Sequence, residues 1–183
     1  MNNREINYLL HSLKYTKAHY LGTFAADTLP NKQQLNTKSC LISNTRERMH
    51  PGEHWVAVFK PKYKKHVLEY FDSYGFLPNN YLKKMMGKNF KYHTIGLQHP
   101  CTNVCGQYGI YFLYHRCKDV SFKNIIKQLS EIPRSRRDLF VHKWVKSLST
   151  NSKLHLQTDF IKNKQICKTL GMWLKKNKIY KQF

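Results

Sequence analysis

The chain has 183 residues, 41% hydrophobic and 14% aromatic, and carries 32 Lys+Arg against 10 Asp+Glu, a formal charge of +22. Such a length and composition suit one globular domain spanning 1–183, with enough chain to bury a core without disulfide or metal staples, and exclude a disordered basic tail. A positive field of this size attracts polyanions, so nucleic acid is the first expected partner, bound non-specifically and salt-sensitively; the alternative is a surface that serves solubility alone.

In chain order, Ile6, Leu9, Leu10 and Leu13 recur at helical spacing and predict an amphipathic opening helix over 4–15. From there to about Pro51 the breakers Gly22, Pro30 and Pro51-Gly52 predict irregular structure. The run His54-Trp-Val-Ala-Val-Phe59 reads as a buried strand, Pro61 to Lys65 as a charged turn, and His66 to Phe71 as the hairpin partner. Another strand is expected over Phe90–Leu97. Cys105 to Cys117 is apolar nearly all round, as a central buried helix would be. Further helices are expected over Ser121–Glu131, with Ser121 as N-cap, about Ser135–Leu148, and Lys164–Lys176, with an exposed loop over Ser147–Lys153. The fold class is α+β.

The hairpin places the start of its first strand beside the end of its second, so His54 and Asp72 are expected to be neighbours. Downstream, Gln98-His-Pro-Cys-Thr-Asn-Val-Cys105-Gly106 supplies a thiol at the start of the buried helix, where the helix dipole and a nearby imidazolium favour the thiolate. Together His54 as base, Asp72 as its orienting acid, Cys105 as nucleophile and Gln98 as donor to an oxyanion make a thiol-protease constellation. Each also has an ordinary reading: a buried cysteine, a strand-edge histidine, a turn aspartate and a polar strand end; the joint order and spacing favour the catalytic one. Cys101 is the rival nucleophile, and Gly106 is expected to let a substrate backbone pass close to the sulfur.

His99, Cys101, Cys105, His115 and Cys117 also form a Cys/His cluster, but a zinc site fits poorly when two of its ligands lie along one helix. No metal is expected. The five cysteines, including Cys40 and Cys167, are odd in number and widely spaced, and the start Met-Asn-Asn-Arg-Glu lacks an apolar signal region, which favours a reducing, intracellular setting. No stretch approaches the roughly 20 apolar residues of a membrane span. Candidate DNA contacts are Lys83, Lys84, Arg134, Arg136, Arg137, Lys175, Lys176 and Lys178, spread in a way that suits backbone contact more than sequence readout.

At these residues the chain resembles the adenovirus-type (adenain-like) cysteine proteases, a group of maturation enzymes with relatives in virophages and Maverick/Polinton elements. The likeness covers roughly residues 1 to 118 and includes His19-Tyr-Leu-Gly-Thr-Phe24, similar to the family's Tyr-Phe-Leu-Gly-Thr-Tyr segment, and Cys40-Leu-Ile-Ser-Asn-Thr45 leading to Gly52-Glu-His54-Trp55. The seven-residue step from Gln98 to Cys105 matches the adenoviral pattern, and Val104, where SUMO-deconjugating proteases usually have Asp, favours the viral branch.

The resemblance implies a papain-like, SUMO-protease-like site in permuted chain order, on a central mixed or antiparallel sheet packed by helices, with His54, Asp72, Gln98 and Cys105 in the four roles. It implies cleavage of capsid and core precursor proteins after small residues, often Gly, stimulation by DNA, and action in the virion and the infected cell. Asp72 stands where mammalian adenoviral enzymes have Glu, and the stretch from Asp72 to Gln98 holds no Cys, so a disulfide-tethered peptide activator is not expected. A monomer is expected. A basic packaging protein with a relic protease fold, and a deconjugase of ubiquitin-like modifiers, are the competing readings.

Overall fold

The computed structural model describes residues 1–63 and 67–150. Helix α1, Asn3–Ser12, starts with a reciprocal cap: Asn2 Oδ1 accepts from the Glu5 N–H at 3.0 Å, and Glu5 Oε2 from the Asn2 N–H at 2.7 Å. Its stripe of Ile6, Leu9 and Leu10 is fully buried in the main core.

Five strands form one mixed sheet in sequence order: β1 (Tyr20–Phe24), β2 (Cys40–Asn44), β3 (Trp55–Phe59), β4 (Leu68–Phe71) and β5 (Phe90–Lys91). β1 runs parallel to β2 and β4 to β5, while β2/β3 and β3/β4 are antiparallel. Side-chain alternation divides the strands between two cores. Ile42, Ala57, Phe59 and Phe71 face the helix α3, Cys105–Cys117, whereas Leu41, Val56, Val58 and Tyr70 face α2, Asn80–Met86. The sheet is therefore buried on both faces.

α3 crosses the middle of the sheet. Gly109 lets it lie close, since a Cβ there would sit 3.1 Å from Ile42 Cδ1, and Phe112 stacks on Phe71 with centroids 4.7 Å apart. Behind it lie α4, Phe122–Glu131, capped by the Ser121 hydroxyl, and α5, Arg134–Thr150, which contributes Val141 and Val145 to the same core.

β3, β4, α3, α4 and the Ser121 cap lie where the sequence places them; the opening helix stops at Ser12, three residues short of its expected end, and residues 64–66 of the expected hairpin turn and second strand lie outside the described residues, while α5 runs two residues beyond its expected end, taking the first part of the expected Ser147–Lys153 loop into a helix. Two expectations are corrected. The stretch before Pro51 is not irregular, because it holds β1, β2 and two single-turn 3-10 segments. Phe90–Leu97 is not a full strand, since only Phe90 and Lys91 pair; beyond them the Leu97 and Gln98 N–H groups both donate to the Ser73 carbonyl, at 2.8 and 2.9 Å. The expected helix over Lys164–Lys176 lies outside the described residues, among which no helix is long and apolar enough to cross a membrane.

Candidate active site

Cys105 is the first residue of α3, and its side chain hydrogen-bonds that of His54, at the residue before β3. His54 Nε2 lies 3.0 Å from Asp72 Oδ1, just beyond β4, so the register of the hairpin produces the imidazole–carboxylate pair. With Nε2 committed to Asp72, Nδ1 is the ring nitrogen left for the sulfur. Cys105, His54 and Asp72 are all buried.

Asp72 is itself held from several sides. Oδ1 also accepts the Tyr74 N–H at 2.7 Å, Oδ2 accepts the Tyr70 hydroxyl at 3.2 Å, and the Tyr74 ring stacks on the imidazole with centroids 4.8 Å apart. The turn that allows this requires Gly75: its φ is +74°, and a Cβ would stand 2.7 Å from the Thr94 carbonyl carbon.

Burial disfavours a charged His54, but the Asp72 carboxylate, its hydrogen bond and the Cys105 sulfur outweigh it, raising the pKa to about 10. Burial pushes the Tyr70 and Tyr74 phenols up; Asp72 adds to this at Tyr70, and the Cys105 sulfur and Asp72 add to it at Tyr74, so both remain neutral. The site is therefore built to hold an imidazolium, the partner a thiolate needs.

Gln98 is fully buried. Its Nε2 donates to the Thr102 carbonyl at 2.9 Å and its Oε1 accepts the Ser73 hydroxyl at 2.7 Å. A carbonyl only accepts, so the atom facing Thr102 must be the NH2 group, which fixes which way the amide points. Cys101, the rival nucleophile, lies in the loop before α3, and the sulfur that bonds His54 is that of Cys105.

A cleft of about 450 Å³ opens from Cys105, bordered by Phe24, Asn44, Gly52, Trp55, Asn103 and Gly106. Besides bordering the cleft, Gly106 makes room for protein: a Cβ there would meet Ile6 Cδ1 at 3.3 Å and Trp55 Cδ1 at 3.4 Å. Trp55 Nε1 in turn donates to the Met1 carbonyl at 3.2 Å, which seats the start of the chain on the cleft wall.

The described candidate basic residues do not form one patch. Lys83 and Lys84 are exposed on α2, and Arg134 and Arg136 are exposed at the start of α5 on the opposite side of the sheet. Arg137 must be withdrawn as a DNA contact: it is buried, and its guanidinium donates to the carbonyls of Leu97, Ser130 and Ile132 at 3.0–3.1 Å. Lys175, Lys176 and Lys178 lie outside the described residues. The Cys/His cluster is also pulled apart: Cys105 and Cys117 sit at opposite ends of α3, about 18 Å apart along its axis, and Cys117 faces Cys40 with sulfurs 3.9 Å apart. Among the described residues no three His, Cys, Asp or Glu side chains gather as a metal site.

No sequence signal marks Tyr70, Tyr74, Ser73 or Asp138 as supports of the site. Tyr70 follows the ordinary strand alternation, Tyr74 and Ser73 sit in a common turn motif, and Asp138 comes from a distant helix.

The protease of bovine adenovirus 4 is 30% identical over 144 residues, covering 68% of this chain and 70% of the adenoviral one. The chain belongs to the adenovirus-type protease family. It is thus a viral-type protease, with the α+β architecture described above. A solved structure, the ASFV pS273R protease, is 21% identical with a TM-score of 0.48, covering 63% of this protease and 45% of that chain. This protease therefore spans less than half the length of that structure. No protein-family model matches it.

Proposed function

We propose that this protease is a cysteine endopeptidase that processes virion precursor proteins, with Cys105 as nucleophile, His54 as general base and acid, Asp72 as its orienting carboxylate, and Gln98 with the Cys105 backbone N–H as oxyanion donors. The observation that carries the reading is the continuous chain from the Cys105 sulfur at a helix start, through His54, to Asp72 at 3.0 Å.

The steps follow from that chain. His54 takes the thiol proton, the Cys105 sulfur forms a bond to the scissile carbonyl carbon, and the carbonyl oxygen becomes an oxyanion held by the two donors. The C–N bond breaks as His54 returns the proton to the leaving amine, giving a thioester. Water then gives a proton to His54 and attacks the thioester, the C–S bond breaks, and the thiol is restored. No metal or organic cofactor enters these steps.

Trp55 and Gly106 border the cleft beside Cys105, and a preference for small residues such as Gly before the cut is part of this proposal. Capsid and core precursors are the proposed substrates, and the virion and infected cell the proposed place of action. The charge of +22 supports DNA as a non-specific activator acting through exposed residues such as Lys83, Lys84, Arg134 and Arg136. We expect the protease to act as a monomer without a tethered peptide.

Two measurements test this. Iodoacetamide should label Cys105 selectively at neutral pH in the wild type, and much more slowly in His54→Ala; equal labelling rates would remove the His–Cys pair. Added duplex DNA should raise peptide cleavage at low salt, with the gain fading as salt rises; an unchanged rate at low salt would remove DNA as an activator. Cleavage confined to a Gly-Gly-terminated modifier would favour the deconjugase reading instead.

A further inference from the structure

Asp138, on α5, is a buried carboxylate that the steps above do not use. Its Oδ2 accepts the His99 N–H at 3.0 Å and the Thr102 hydroxyl at 2.7 Å, and its Oδ1 accepts the Tyr108 hydroxyl at 2.7 Å. The first two donors belong to the loop that joins Gln98 to Cys105, and the third to the second turn of α3. Next to it, Arg137 donates to the Leu97 carbonyl at 3.1 Å, fixing the other end of the same loop.

One further bond connects this clamp to the chemistry. Thr102, held through its hydroxyl by Asp138, offers its backbone carbonyl to Gln98 Nε2 at 2.9 Å, while Ser73 holds Gln98 Oε1 at 2.7 Å. The carbonyl takes one Nε2 hydrogen, and the second has only the Thr102 hydroxyl oxygen at 3.4 Å, a long partner. One hydrogen of the amide is thus only weakly engaged.

We propose that Asp138 is a positioning residue for the oxyanion donor, acting through Thr102 to hold the Gln98 amide in place. The inference rests on Gln98 being that donor.

The test compares Asp138→Ala, Asp138→Asn, Thr102→Val and Gln98→Ala on a fluorogenic peptide with glycine before the cut, together with iodoacetamide labelling of Cys105. Alkylation forms no oxyanion, so it reports on the His54–Cys105 pair alone. Asp138→Ala should lower kcat by about tenfold or more, since losing an oxyanion donor outright costs ~10²–10³. KM and the labelling rate should stay near wild type, and Asp138→Asn, which retains one acceptor, should fall between. Should Asp138→Ala fail to fold, Asp138→Asn and Thr102→Val carry the same test. Unchanged kcat in the Asp138 and Thr102 variants beside a slow Gln98→Ala would overturn this inference alone. A Gln98→Ala with full kcat would overturn the donor assignment and the inference with it. Labelling that falls in parallel with kcat would reduce Asp138 to a general structural support.

Discussion

Replacing Asp72 by Asn removes one negative charge from the site while leaving the shape nearly intact. The Asn carbonyl can still accept the His54 and Tyr74 N–H groups that Asp72 Oδ1 accepts at 3.0 and 2.7 Å, and its NH2 can donate to the Tyr70 hydroxyl. What changes is the imidazolium. The rise of the His54 pKa from 6.5 to about 10 is the net of burial, which opposes the charge, and of Asp72 and Cys105, which favour it. That rise corresponds to roughly 5 kcal/mol in favour of the charged ring, at ~1.4 kcal/mol per pH unit. With the carboxylate gone, burial is opposed only by the sulfur, and the ring should be largely neutral at pH 7–8. We expect the Cys105 alkylation rate at pH 7 to fall by about 10- to 100-fold and its pH profile to move up towards that of an ordinary thiol near ~8.5. Stability gives a second readout with a definite sign. A folded-state pKa above the unfolded 6.5 contributes stability that is fully present below pH 6.5, while carboxylates remain ionised, and is lost as pH rises through about 10. The wild-type advantage over Asp72→Asn in urea unfolding should therefore be large at pH 6 and small near pH 10. An alkylation profile identical in the two proteins would refute the charge argument.

Four other variants probe separate links. Gly75→Ala meets both an unfavourable φ of +74° and a backbone carbon 2.7 Å from the new Cβ, so thermal unfolding should occur at least several degrees lower; an unchanged Tm would mean that the turn is looser than described. Glu69→Gln leaves buried Arg116, bonded to Glu69 at 2.5 and 3.2 Å, without its counter-charge; denaturant unfolding should register a loss of about 3–5 kcal/mol, with labelling of the folded protein's Cys105 unaffected. Arg137→Met and the double variant Lys83→Ala/Lys84→Ala should separate by property: the first should lower Tm, and the second should lower only DNA affinity and its salt slope, as read by fluorescence anisotropy.

How far the sequence could be read depended on which signals are local. β3, β4 and α3 were legible because their apolar runs are bounded by turns or capped by the site residues, and the hairpin alone brings His54 to Asp72. β2 was not, since its run Cys-Leu-Ile-Ser-Asn ends in two polar residues and is neither a continuous apolar run nor a clean alternation, while β1 is an edge strand interrupted at Gly22. α2 is only seven residues long, although Asn79 at its start and Gly87, with φ +82°, at its end are ordinary boundary signals. Arg137 looked like part of a basic cluster, yet it shares a helical face with Val141 and Val145, both fully buried, and that spacing was there to be read. Asp138 and Tyr74 could not be found in the same way, because their roles depend on α5 reaching the loop before Cys105 and on a ring stacking across a turn. Such contacts are set by packing, which periodicity does not report.

The most direct test of the thiol-protease account is cleavage of a peptide library by the wild type and by Cys105→Ala, with circular dichroism to show that both are folded. The account predicts cleavage by the wild type, with glycine enriched before the cut, and none by the folded Cys105→Ala protein. Cleavage retained by Cys105→Ala would contradict it, because no other sulfur in the described residues is placed against His54.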